Sequence, residues 1–158
     1  MDSTSFQQKD GKRVMRHKPG QYLTFALELP EKEPIKRNYS ISSGPEDRSY
    51  RISVKREAKP GVPPGIVSNW LHDHAGPGTV LKVGPPAGEF FLNEKEDNPV
   101  VLLSGGVGLT PMVSMLEHVV RILHAMVGGL ARTGVALNRF FTSFRSCRRA
   151  AGCLKGQS

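Results

Sequence analysis

The sequence contains no run of about 18 apolar residues, so it offers no helix able to cross a membrane. Met1 to Asp10 lacks the apolar core of a secretory leader. From His118 to the end there is not one aspartate or glutamate. Cysteine is scarce: Cys147 and Cys153 both lie in that acid-free stretch, with no histidine nearby to complete a metal site. These absences point to a cytoplasmic protein with free thiols and no membrane partner.

The net charge of +8 would suit a nucleic-acid binder, but its distribution argues otherwise. The first 117 residues hold 15 basic against 14 acidic residues, so the body is close to neutral. The remainder carries Arg121, Arg132, Arg139, Arg145, Arg148, Arg149 and Lys155. No aromatic pattern accompanies this charge, and no nucleic-acid partner is expected.

Seventeen glycines and 12 prolines favour short strands and turns over a helical bundle. After a polar lead-in over 1–13, strands are expected at Gln21–Leu29, Asn38–Ser42, Tyr50–Lys55 and Thr79–Val83. In Tyr50–Lys55, Tyr50, Ile52 and Val54 share one face. Such spacing suggests a small antiparallel barrel. A short helix fits Val67–His74, with Ser68 as a candidate N-cap.

The pattern then changes. Asn98–Ser104 contains a continuous apolar run, the mark of a strand buried on both faces. Gly105–Gly108 is a glycine turn, and Thr110 and Pro111 suit helix positions N-cap and N1. Met112, Met115, Leu116, Val119 and Leu123 then recur at helical spacing. Strand, glycine turn and helix open a βαβ unit, the start of a second, α/β domain. Beyond about His124 no second half follows, and a single strand and helix cannot complete a parallel sheet. The expected division is 1–98, 99–124 as an incomplete domain, and a basic tail over 125–158 that is disordered or foreign to the fold, as a shifted reading frame or mis-joined exon would produce.

Two motifs carry chemistry. In Arg37-Asn38-Tyr39-Ser40-Ile41-Ser42, arginine and tyrosine alternate along a strand. Arginine offers a fork of donors for phosphate, tyrosine a flat face for an aromatic ring, and Ser40 a hydroxyl and an N–H. The same residues would equally suit an ordinary strand with an exposed arginine. In Ser104–Pro111 the glycines permit close backbone approach, and a helix N-terminus attracts phosphate. It is not the full G-x-G-x-x-G fingerprint, since Pro111 stands where the third glycine would, and a tight strand-to-helix turn would look the same.

Together the motifs are specific. The chain resembles the ferredoxin-NADP⁺ reductase superfamily, and within it the reductase portion of flavohaemoglobins, the nitric oxide dioxygenases. The segments that carry the resemblance are His17–Leu23, Arg37–Ser42, Tyr50–Glu57, Val67–Phe91 and Leu102–Leu116, within a span from about Val14 to Val120. The resemblance implies a small antiparallel FAD-binding β-barrel followed by the start of an NAD(P)-binding domain. It implies that Arg37 contacts the FAD pyrophosphate, that Tyr39 packs on the isoalloxazine, and that Ser40 bonds near its reactive nitrogen. Asn38 lies in the same motif, and Tyr22 would line the flavin site. Gly65, Ile66, Val67 and Ser68 would cradle the FAD phosphates. Gly106, Val107, Gly108, Leu109, Thr110 and Pro111 would hold NAD(P)H.

The departures are equally specific. No globin precedes Val14, so no haem is expected here; a globin domain or protein would be the electron acceptor. His17, His72, His74, His118 and His124 read as surface or cap residues. The later strands and the C-terminal aromatic segment of the family have no counterpart, which leaves the NAD(P)H site incomplete. No catalytic side chain is expected, since the flavin performs the hydride chemistry. The expected function is electron transfer from NAD(P)H through FAD. The alternatives are a non-catalytic FAD-binding remnant and a basic-tailed interaction module.

Overall fold

Antiparallel pairing begins earlier than the polar lead-in suggests. The computed structural model describes residues 1–30, 33–45, 48–58, 60–95 and 100–133, with side chains through 127. Strand β1, Asp2–Phe6, pairs antiparallel with β4, Tyr50–Val54. Its polarity is accommodated because one face stays wet, and the Ser3 and Ser53 hydroxyls bond at 2.8 Å across the ladder. Phe6 reaches inward to meet the Phe25 ring edge-on at 5.3 Å.

Strand β2, Tyr22–Leu27, lies between β3, Ile35–Ser40, and β5, Lys82–Val83. The β2 residues alternate: Leu23, Phe25 and Leu27 are buried, while Tyr22, Thr24 and Ala26 are half-buried. The two antiparallel sheets are joined by a bridge between Ile41 and Ile52, with the Ser42 N–H donating to Arg51 O at 2.7 Å. Among the described residues the ladder does not close into a continuous barrel. The expected strand over Thr79–Val83 shortens at its start to Lys82–Val83, because Thr79 is held in the preceding turn, its N–H donating to Gly76 O at 3.0 Å.

Helix α1, Ile66–His74, closes one end, packing Val67 and Leu71 into the core with Leu23, Phe25, Ile41, Ile52 and Val54. A second helix, α2, spans Leu109–Thr133 and follows a 3₁₀ turn over Gly106–Gly108. It runs on past His124, where the apolar spacing ends; residues 134–158, including both cysteines, lie outside the described residues.

The apolar run at Val100–Ser104 forms no strand; Asn98 and Pro99 lie outside the described residues. Val101 is 77% and Leu103 78% exposed. A strand of this composition needs neighbours on both edges, and none of the described segments supplies one. Helix α2 also departs from the expected apolar stripe. Its inward stripe is Pro111, Ser114, Met115 and His118, while Val119, from the expected apolar stripe, is left largely exposed. Between Phe90–Asn93, Val100–Leu103 and Met112 lies an open, mainly apolar groove of about 500 Å³.

Candidate functional site

The β2–β3 register decides which candidate residues share a face. Tyr39 lies opposite Leu23 and Arg37 opposite Phe25, so both stand on the core-side face of the sheet. Tyr39 is half-buried, its ring edge-on to Phe25 at 5.7 Å, whereas Arg37 is exposed and donates to its neighbour's carbonyl, Lys36 O, at 2.7 Å. Asn38 and Ser40 stand on the opposite face with Thr24 and Tyr22. Thr24 donates to Asn38 Oδ1 at 2.8 Å. Tyr22 lies flat against Gly88, where a Cβ would come within 2.8 Å of the ring. The Ile41 N–H donates to Gln21 O, so by antiparallel alternation Asn38 and Ser40 turn their backbone groups away from β2, toward the outer edge of β3. Burial raises the Tyr39 phenol pKa, the Glu57 carboxylate adds to this, and Arg37 partly offsets both.

Glu57 connects this strand to α1. The Gly65 N–H donates to Glu57 O at 3.0 Å, and the Asn69 amide donates to Glu57 O at 2.9 Å and Gly65 O at 2.7 Å. These bonds tie together the two ends of the Pro-rich segment before α1. Gly65, not Ser68, is the N-cap. Ser68 sits inside the first turn, buried, donating to Gly65 O at 3.2 Å and accepting from the Glu57 N–H. It cannot cap because Asn69 and Gly65 start the helix three residues earlier. Val67 and Ser68 are buried and Ile66 is an exposed apolar side chain, so the polar groups this turn offers a ligand are its backbone N–H groups.

The glycine turn is exposed, and a Cβ at Gly105, Gly106 or Gly108 would meet nothing within 4 Å. Only Gly106, at φ +56°, is in the left-handed region. Thr110 is not the N-cap: α2 begins at Leu109, straight out of the 3₁₀ turn, and Thr110 donates to Val107 O at 3.0 Å. Pro111 falls in the first turn, where its missing N–H costs nothing.

Residues 2–92 match the family model described as the oxidoreductase FAD-binding domain. The chain belongs to this family. It is 45% identical over 138 residues to a flavohemoprotein of Halalkalibacterium halodurans, covering 80% of this chain and 34% of that one. It is 51% identical over 111 residues to a flavohemoprotein of Xylella fastidiosa, covering 70% and 27%. The chain thus spans about a third of the length of these curated relatives. Among solved structures it resembles the flavohem-like FAD/NAD-binding domain of nitric oxide dioxygenase from Vibrio cholerae. That likeness has a TM-score of 0.71 at 28% identity, over 92% of this chain and 73% of that one. Phthalate dioxygenase reductase follows with a TM-score of 0.61 at 29% identity, over 76% and 35%.

Membership of an FAD-binding family makes the fit of FAD the question. Arg37 presents an exposed guanidinium on the face of Tyr39, and the missing Cβ of Gly65 lets the Glu57 and Ser68 side chains close on the start of α1. A Cβ there would lie 2.5 Å from Glu57 Oε2 and 2.6 Å from Ser68 Oγ. These features suit a flat ring joined to a diphosphate. Gly65→Ala leaves φ permissible at −64°. It is expected to weaken FAD binding several-fold, about 1 kcal/mol, by pushing Glu57 and Ser68 off the α1 terminus, as a fluorescence titration would read. An unchanged affinity would place the phosphates elsewhere.

The histidines are not all at the surface. His17 is buried, its Nε2 3.1 Å from Ser43 O and its ring edge-on to Tyr50 at 5.8 Å. His118 is buried on α2, with Nε2 3.0 Å from Glu94 Oε1. The His72 ring, also buried, lies 2.8 Å from Asp2 Oδ2 and 3.0 Å from Val54 O, pinning β1 to α1. Each sits where two segments meet, a partnership that no local pattern announces. Among the described residues no cluster of histidine, cysteine and carboxylates suits a metal, and no helix is long and apolar enough to cross a membrane.

Glu117 has no counterpart among the expected site residues. It accepts from Gly44 N–H at 2.9 Å and from the Arg51 guanidinium. Burial pushes its carboxyl up, but these bonds and the charges of Arg51 and Arg121 outweigh it and hold it below the ordinary value. A depressed carboxylate contributes stability above its unfolded pKa of about 4.3 that is lost as pH falls through the folded value. The stability gap between the parent and Glu117→Gln is therefore expected to narrow in urea titrations below about pH 4. A gap independent of pH would mean that the Glu117 charge contributes nothing.

Proposed function

We propose that this chain holds FAD against β3 and passes electrons from NAD(P)H through the flavin to an acceptor. The observation that carries this reading is the shared face of Arg37 and Tyr39 on an edge strand, with Ser40 turning its backbone toward the open side. Arg37 binds the pyrophosphate through its fork of donors. Tyr39 stacks on the ring system, and its contact with Phe25 fixes the plane of stacking. Ser40, with Asn38 beside it, donates to the edge of the ring. Tyr22, set by Gly88 on the Ser40 face of the sheet, borders the same edge of the ring. The N–H groups of Ile66, Val67 and Ser68, after Gly65, take the phosphates at the start of α1. Residues 1–98 form the flavin domain, and 99–124 open the nucleotide domain, with Gly106–Pro111 meeting NAD(P)H. Bound flavin supplies the two-electron acceptor that takes hydride from the nicotinamide. The protein binds and orients; no side chain here carries out a proton transfer.

The flavohemoprotein relatives support a haem acceptor in a globin domain or protein, and the proposed place of work is the cytoplasm. The likeness to a domain of a nitric oxide dioxygenase supports nitric oxide dioxygenation as the whole activity, with this chain supplying the reductase part. A second reading, flavin holding without nucleotide oxidation, is favoured by one observation. Val100, Val101 and Leu103 are exposed, so among the described residues no strand partner braces the glycine turn from that side.

Anaerobic addition of NADH and NADPH to the flavin-loaded protein separates the two. Bleaching of the flavin bands with either nucleotide is expected. Loaded flavin that stays oxidised would leave the holding function alone.

A further inference from the structure

The turn that follows the flavin strand is gripped by the helix that follows the glycine loop. Ser42, Ser43 and Gly44 are all buried. The Ser43 carbonyl accepts from Ser114 Oγ on α2 at 2.7 Å and lies 3.1 Å from His17 Nε2. The Gly44 N–H donates to one Glu117 oxygen at 2.9 Å, and Arg51 reaches the other while also donating to Ser42 O at 2.5 Å. A Cβ on Gly44 would stand 3.3 Å from Glu117 Cβ and 3.4 Å from the His118 backbone N, so the strand turn and helix approach backbone to backbone. Ser114, Glu117 and His118 lie one helical turn apart on a single face of α2. The grip is polar, directional and largely shielded from water, so it holds one geometry where an apolar contact would allow sliding.

Three residues separate Ser40 from Gly44, and two separate Pro111 from Ser114. The clasp therefore joins the two places that the proposed function assigns to flavin and nucleotide. We propose that Ser114 and Glu117 are positioning residues: they couple flavin occupancy at β3 to the placement of the Gly106–Pro111 loop. This inference rests on FAD binding at β3. A ligand that rigidifies β3 stiffens Ser42–Gly44, and the clasp passes that ordering to α2 and its N-terminal loop. Neither residue is among those assigned to the flavin, so both can be removed while the proposed flavin site remains.

Hydrogen–deuterium exchange on the full chain, with and without FAD, tests this. In the parent protein FAD is expected to slow exchange across the first half of α2 about threefold or more, along with β3 and α1. In Glu117→Ala and in Ser114→Ala the slowing in α2 is expected to vanish, while that in β3 and α1 persists and FAD affinity stays within about threefold. Glu117→Gln, which keeps an acceptor for Gly44, is expected to retain part of the coupling. Ser114→Ala removes a single oxygen and keeps the test open should Glu117→Ala fail to fold. Equal slowing of α2 in the parent and both variants would overturn the proposal, as would slowing confined to β3 and α1 in the parent. A loss of FAD affinity beyond about tenfold in Ser114→Ala would also overturn it, since the clasp would then be part of the flavin site. If the parent binds no FAD, the proposed function fails and the coupling fails with it; flavin bound without coupling sinks this inference alone.

Discussion

Replacing Arg37 by alanine is expected to weaken FAD binding about 10- to 100-fold, the worth of a charged hydrogen-bond fork to phosphate. The fold should hardly notice. Arg37 is exposed, and its guanidinium donates to the adjacent carbonyl of Lys36. The loss should shrink as salt rises, because part of the attraction is between exposed charges. Lys36→Ala is the control: it points to the other face of β3, opposite Ala26, and should change affinity less than about twofold. Flavin fluorescence quenching measures both. Equal losses from the two substitutions would reduce Arg37 to part of a general positive field.

Gly20→Ala is expected to cost about 3 kcal/mol of stability, lowering Tm by about 10 °C. Two causes add. At φ +107° an L side chain is strained, and the new Cβ would lie 2.5 Å from Met115 Cε, 2.6 Å from Phe90 O and 3.0 Å from Phe91 Cα. The methionine tip can move; the backbone of Phe90 and Phe91 cannot without breaking the bond from Leu92 N–H to Pro19 O. Because Met115 belongs to α2, the damage should spread to the helix, and its exchange protection should fall with Tm. Calorimetry reads the first effect. A shift under about 2 °C would show that this corner yields easily.

Local periodicity carried much of the fold. The alternation in β2 and β4 fixes which residues face the core, and the helical spacing before His74 describes α1 within a residue. The failures share one cause. β1 is too polar to announce itself and exists because β4 offers an edge and Phe25 a ring to pack on. Val100–Ser104 has strand chemistry but no described neighbour to pair with. The site divides in the same way. Arg37 and Tyr39 are legible because their spacing is that of a strand face. Glu57 acts on Gly65, Asn69 on Glu57, Ser114 on Ser43 and Glu117 on Gly44, across 8 to 73 positions of sequence. Such pairings are set by the packed fold and leave no periodic trace. The buried histidines were misplaced for that reason.

Every role assigned to Arg37, Tyr39 and the start of α1 requires that the chain hold FAD. The direct measurement is the visible spectrum of the purified protein after incubation with FAD and removal of the excess. A retained flavin near one per chain, with bands sharpened and shifted from those of free FAD, is the expected result, and Arg37→Ala should reduce the retention. A colourless protein from the parent chain would contradict the account.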